Sequence, residues 1–378
     1  MIEHHARTGD LVKKIVYCCD GTWGKKRRSN TNVYRLYTVL KRTNTQMVIY
    51  DKGVGTSGSW IRRMQGGAFG AGLNKGVKRG YRKIAEVYDP GDELYLFGFS
   101  RGAFTARSIA GMIAFCGLPT VDKSRNIISM AFKGYRARTT ERKWHPPAAA
   151  EFVDPGIMMI GVWETVGTLG IPAALLDRHD DEKWGFHDTN LHEDVLNAYH
   201  ALALDERRRQ FTPSLWHARA EGLHQVWFAG DHTDVGGGIS LDPRKRFHKP
   251  KHQLSDIPFA WMLSKAAGHG LEIRTKSKDY RALPQPTEAA LDKIGRTWNP
   301  LWGRAKPRVV DPGSIVANSV DVRVNLDPEY NPPLTITSAG SRRLADETYQ
   351  VELVVRSSAS PTRPISRRTS RVKAQRKP

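Results

Sequence analysis

Disulfide chemistry and membrane passage are the first things this chain leaves out. Its 378 residues include only three cysteines: Cys18 and Cys19, adjacent in an apolar run, and Cys116 in a helix-like run. That usage reads as reduced core residues rather than a covalent framework. No stretch approaches the roughly 20 consecutive apolar residues that a spanning helix requires, because Arg, Lys or Gly interrupts each one. The opening MIEHHARTGD lacks the apolar core and small-residue cleavage site of a secretory leader, so the expected location is the cytoplasm of the producing cell. Acid is also scarce, with 38 Asp and Glu against 59 Lys and Arg, a formal net charge of +21. Such an excess favours anionic partners, an anionic membrane surface among them. The basic clusters, 25–28, 244–251 and 363–377, lack the interleaved aromatics of a base-stacking platform, so nucleic acid is not expected as a partner.

What is present is a globular composition, 39% hydrophobic and 26% charged, on a chain long enough for one large domain with inserts. Residues 13–19 (KKIVYCC), 46–50 (QMVIY), 93–99 (ELYLFGF), 156–163 (GIMMIGVW) and 225–229 (QVWFA) are short apolar runs closed by turn residues, the pattern of buried parallel strands. Between the first two, Val33, Leu36, Tyr37 and Leu40 fall on one helical face. A helix-like stretch leads to Tyr88, and 101–115 is rich in small residues, suited to a helix packed tightly on a sheet. Residues 117–152 and 169–220 read as mainly helical inserts, the first as surface helices or part of a cap. The alternation predicts an α/β fold of α/β-hydrolase type: a mostly parallel central sheet, helices on both faces and helical cap insertions. The expected organisation is a catalytic domain over 1–270, a C-terminal extension over 271–356 packed on it, and a basic disordered tail over 357–378.

Gly98-Phe99-Ser100-Arg101-Gly102 fits G-x-S-x-G, in which a serine sits on a sharp strand-to-helix turn. The apolar strand before it and the small-residue helix after it are the context the pattern needs. A serine hydroxyl is a weak nucleophile and requires a base oriented by a carboxylate, in this fold in the chain order Ser, Asp/Glu, His. Glu164 closes GIMMIGVW and His232 follows QVWFAGD, so in a parallel sheet both emerge at the same carboxyl edge as Ser100. The plainer alternatives are a strand-end acid capping a turn and a histidine bonded to the neighbouring glycine loop. For an oxyanion hole the candidate donors are the backbone N–H of Arg101 and those of the Gly21-Thr22 loop after Asp20, which also reads as an ordinary turn. Asp20 and Asp234 are supporting candidates; Asp234 could orient its loop, act as a second acid or bind a cation, but one carboxylate with a glycine run is not a metal site. The glycine-rich stretches 53–58 and 66–72 lack the Gly-Lys-Ser/Thr ending of a phosphate loop, which excludes nucleotide hydrolysis of that type. No cofactor is expected.

Taken together, CCDGTWG (18–24), YDKGVGT (50–56), GFSRGAF (98–104), GVWETVG (161–167), HALALDERRRQFTPSLW (200–216) and VWFAGDHTDVGGG (226–238) resemble a family of uncharacterised α/β-hydrolases. That family includes the catalytic domain of type VI secretion phospholipase effectors. The likeness covers roughly residues 13–270. It implies an α/β-hydrolase fold, a serine–acid–histidine triad and, in the characterised effectors, hydrolysis of phospholipid acyl esters. The family serine falls on Ser100, the acid of its GVWDTVG motif on Glu164 and the histidine of its HSDVGGG motif on His232. Three positions depart from the pattern: Glu164 replaces an aspartate, Asp231 a small or apolar residue, and Thr233 a serine. The expectation is therefore an ester or phospholipid substrate cleaved through an acyl-enzyme, with delivery by a dedicated secretion system as the route the resemblance implies. The competing expectation is an inactive hydrolase scaffold that binds an anionic partner through its basic surface.

Overall fold

A computed structural model describes residues 12–20, 30–53, 68–138, 144–148, 150–166, 191–216, 221–238, 253–277, 280, 286–295, 298, 300, 303–334 and 350–354. The basic clusters at 25–28, 244–251 and 363–377, the Gly21-Thr22 loop and the expected tail lie outside them.

The chain runs β1 (Lys14–Cys19), α1 (Asn32–Val39), β2 (Gln46–Asp51), α2 (Ala68–Val87), β3 (Glu93–Phe99), α3 (Arg101–Cys116), β4 (Leu118–Pro119), α4 (Arg125–Arg136), β5 (Phe152–Val153), β6 (Ile157–Trp163), β7 (Ala198–Ala203), β8 (Leu223–Phe228), α5 (His232–Gly236), α6 (Asp256–Gly268), α7 (Pro286–Ala289), β9 (Ile315–Ala317), α8 (Asn318–Leu326) and β10 (Gln350–Glu352). Eight strands form one sheet in the order β10-β9-β8-β7-β6-β3-β1-β2, and every pairing in it is parallel. β4 and β5 form a separate antiparallel pair.

Period-two alternation along the strands splits the core into two layers. Val16, Cys18, Tyr95, Phe97 and Phe99 face α1, α6 and α8, whereas Ile15, Tyr17, Cys19, Leu94 and Leu96 face α2, α3 and α4. A sheet covered on both faces explains why its strands read as continuous apolar runs. α4 buries Ile128, Ala131, Phe132 and Tyr135 in the second layer, so the 117–152 stretch contributes to the body of the domain. The three cysteines are buried and unbridged. Among the described residues, no helix is long and apolar enough to cross a membrane.

One expectation needs correction. Within the 169–220 stretch read as a helical insert, the described residues 191–216 hold β7, which is paired on both sides within the sheet; 169–190 and 217–220 lie outside the described residues. AYHALA is rich in alanine, and its only aromatic is Tyr199, so β-propensity gives no signal; burial on both faces decides its conformation. The described residues of the C-terminal extension over 271–356 include two strands of the sheet. They extend it, with β9 pairing to β8 and β10 to β9.

From β1 the chain leads to β2 on one side, whereas from β3 it leads to β6 on the other, so the carboxyl ends of β1 and β3 flank a topological switch point, where open α/β sheets place their ligands. There α3 approaches β1 so closely that a Cβ on Gly102 would lie 2.1 Å from the Cys19 carbonyl oxygen. Both contacting groups are backbone and cannot swing aside. Gly102→Ala should therefore cost about 1–3 kcal/mol, the range for overpacking a tight interior, read as a lower urea midpoint with unchanged slope.

Candidate active site

Ser100 stands between β3 and α3 with φ 57° and ψ −120°, a conformation that L-residues other than glycine rarely adopt. Two contacts sustain it. The Ser100 N–H donates to the Trp163 carbonyl at 3.0 Å, and Gly98 lets the α3 backbone close over the strand end, since a Cβ there would meet the Gly102 oxygen at 2.4 Å. The hydroxyl is thus raised off the strand at the sheet's carboxyl edge, beside the first turn of a 16-residue helix.

Glu164, the residue after β6, also has positive φ, 44°, and its N–H donates to the Ala201 carbonyl on β7. The next residue is fixed by His200, whose Nε2 accepts from the Thr165 N–H at 3.2 Å. Burial and the positive Arg107 push the His200 pKa down to about 3, so its ring is neutral and its Nδ1–H donates to Gln225 Oε1. The Glu164 side chain is wholly buried. Its Oε1 accepts from the Ala203 N–H at 2.7 Å; its Oε2 lies 2.7 Å from Arg308 Nη2 and 3.1 Å from His232 Nδ1. Burial pushes this carboxyl upward, but the Arg308 charge and the His232 hydrogen bond outweigh it, and its pKa lies below the usual value.

His232 opens α5, a single turn capped by Asp231, whose side chain accepts from the N–H groups of Thr233 and Asp234. Its own N–H donates to Glu206 Oε2. Glu206 is buried and held ionised by a fork from Arg208, at 2.9 and 2.6 Å, against the upward push of burial. The imidazole sits between Phe99 and Phe211, ring centroids 4.8 and 4.7 Å away, and presents Nε2 to Ser100 Oγ at 3.0 Å. Because an ionised Glu164 can only accept, His232 donates from Nδ1 and leaves Nε2 free to accept from the serine hydroxyl. The glycines after the histidine allow this approach: a Cβ on Gly236 would lie 1.8 Å from the Phe99 ring.

The structure therefore brings Ser100, Glu164 and His232 into one hydrogen-bonded series. Arg101 is the first residue of α3, and burial pushes its guanidinium pKa down to about 10. Gly21 and Thr22 lie outside the described residues. Asp20, after β1, accepts from Thr31 Oγ1 at the start of α1 and from Tyr50 Oη on β2. Among the described residues no group of three candidate ligands is placed to hold a metal ion. Asp234 turns inward and accepts from the N–H groups of Asp231 and Gly295, which assigns it to holding the histidine loop. Sequence reasoning missed Glu206, Phe211 and Arg308. Glu206 and Phe211 stand in the quoted HALALDERRRQF motif, where only their position marked them; Arg308 lies in a stretch without periodicity.

The fold and this polar series define a class: a parallel α/β protein whose chemistry-bearing side chains stand on the loops after β3, β6 and β8. The family is more particular. Residues 13–265 match the catalytic domain of Tle1-like phospholipase effectors of the type VI secretion system, and the chain belongs to that family. An uncharacterized protein of Saccharomyces cerevisiae, YEL023C, is 29% identical over 240 residues, 55% of this chain and 33% of the yeast protein. A crystal structure of an uncharacterized protein from Pseudomonas aeruginosa aligns with 72% of this chain and 48% of that one, at a TM-score of 0.41 and 15% identity. The chain thus spans a third of the yeast relative and about half of the bacterial one.

Burial and the neighbouring Asp231 carboxylate push the Asp234 carboxyl well above the ordinary range. A raised value in the folded state means that its stabilising contribution is complete at acid pH and is lost as pH climbs from about 4 through the raised value. Asp234→Asn keeps an oxygen for the two N–H donors. It should flatten that loss, seen as a smaller drop in melting temperature between about pH 5 and pH 8; an unchanged pH dependence would contradict the assignment.

Proposed function

We propose that this protein is a serine hydrolase of the α/β-hydrolase type that cleaves acyl esters of phospholipids. The observation that carries this reading is the unbroken series from Ser100 Oγ to His232 Nε2 and from His232 Nδ1 to Glu164 Oε2, at 3.0 and 3.1 Å, with the serine on a strained turn. Membership of a phospholipase effector family supports the substrate class.

In this mechanism His232 takes the Ser100 proton as the oxygen attacks the ester carbonyl, and Glu164 stabilises the imidazolium that forms. The resulting oxyanion is received by the Arg101 N–H at the start of α3, with the loop after Asp20 as the candidate second donor. Collapse breaks the ester C–O bond, and His232 returns its proton to the departing alcohol oxygen. That leaves an acyl group on Ser100. Water, deprotonated by the same histidine, then releases the fatty acid and restores the hydroxyl. The Phe99 and Phe211 rings packed against His232, one tilted and one edge-on, restrict its rotation.

Purified wild type should release fatty acid from phospholipid vesicles, and Ser100→Ala and His232→Ala should each lower kcat by about ten-thousandfold or more while leaving the melting temperature near wild type. A folded wild type that hydrolyses neither phospholipids nor simple esters would move the binding-scaffold reading ahead. That reading predicts steeply salt-dependent binding to anionic vesicles which Ser100→Ala leaves unchanged.

A further inference from the structure

We propose that Arg308 is a positioning residue for the Ser100–His232–Glu164 series, holding the Glu164 carboxylate ionised and aimed at His232 Nδ1. The role rests on the hydrolase reading above and extends it to a segment outside the family-matched residues 13–265.

The Glu164 side chain is 0% exposed and that of Arg308 4%, so neither is solvated by bulk water, and the buried carboxylate relies on the guanidinium as its counter-charge. Arg308 Nη2 meets the same Oε2 that faces the histidine, while the Ala203 N–H takes Oε1. Fixed from three directions, the carboxylate has no freedom to turn away from the ring. Among the described residues Arg308 Nε and Nη1 meet no hydrogen-bond partner, and the acid that its guanidinium engages, through Nη2, is Glu164. The segment carrying it is anchored beside the histidine's other support, since the Lys306 N–H donates to the Arg207 carbonyl, next to the Glu206–Arg208 pair.

Among the described residues, Arg308 and His232 on α5 bond this carboxylate; the Glu206–Arg208 pair on the loop after β7 stands against His232, and the neutral His200 on β7, with Arg107 of α3 acting on it, holds the Thr165 N–H beside the acid. Removing the Arg308 charge leaves burial opposed only by His232 and one N–H. Glu164 then takes up a proton at higher pH, and a protonated acid no longer stabilises the imidazolium. Lysine can restore the charge without the planar fork.

The test is the rate of Ser100 labelling by a fluorophosphonate probe from about pH 5 to pH 9, in wild type, Arg308→Met, Arg308→Lys, Glu164→Gln and the double variant Arg308→Met/Glu164→Gln. Arg308→Met should label about 10–100-fold more slowly at neutral pH, the loss typical of removing a partner that orients a histidine system. Its acid limb should move up by about one pH unit or more, and Arg308→Lys should recover most of both. If Arg308 acts through Glu164, the double variant labels no more slowly than Glu164→Gln alone. The double variant also removes the lone buried charge, so it tests the coupling even if Arg308→Met does not fold. Wild type that labels at Ser100 while Arg308→Met shows the same pH profile, or losses that multiply in the double variant, would overturn the positioning role and leave the hydrolase reading standing. Wild type that does not label at Ser100 would remove the hydrolase reading and this role with it.

Discussion

A carboxylate with no exposed surface is unstable unless the protein rebuilds its solvation, and the arrangement at Glu164 is organised around that requirement. Three donors from three separate parts of the chain converge on two oxygens: a backbone N–H at the end of β7, an imidazole on α5 and a guanidinium from the segment before β9. Each fixes its own segment as well. The Ala203 N–H ties β7 to β6 beyond their last sheet pairing, His232 is drawn toward Ser100, and the residues around Arg308 are held against the loop that carries Glu206. A single buried charge thus sets the relative placement of strand, helix and C-terminal extension.

The parallel sheet makes this convergence inexpensive. Because every strand in it runs the same way, the residues after β3, β6, β7 and β8 all emerge at one edge without further chain reversal. Only two non-glycine positions among the described residues need positive φ, Ser100 and Glu164, and both sit on that edge. Strain is concentrated where the chemistry-bearing side chains must leave the strand direction, and close packing of α3 against β1 and β3 holds it there.

Much of this could be read from the residues. Ser100, Glu164 and His232 each follow an apolar strand with a distinct turn signal, and parallel pairing brings strand ends together whatever lies between them in sequence. β7 was hidden because alanine-rich AYHALA carries no strand preference of its own, and its conformation follows from being paired on both sides. Glu206 and Arg308 were hidden for a different reason. A buried contact between distant segments, Arg308 with Glu164 or the His232 N–H with Glu206, leaves no periodicity and no motif; its partners become visible only when the fold joins them. The sheet extension by β9 and β10 is equally silent, since three-residue strands fall below any pattern that alternation can define.

The wide sequence separation of the Glu164–Arg308 pair bears on how the protein is made. The two residues lie 144 positions apart. At a synthesis rate of about 5–20 residues per second, the arginine leaves the ribosome roughly 7–30 s after the glutamate. During that interval the nascent chain carries the strand–elbow–helix unit and its serine, but the acid has no guanidinium to keep it charged and the sheet lacks its last two strands. The polar centre can close only late in translation, so a chain arrested before residue 308 would hold Glu164 with one of its three donors missing.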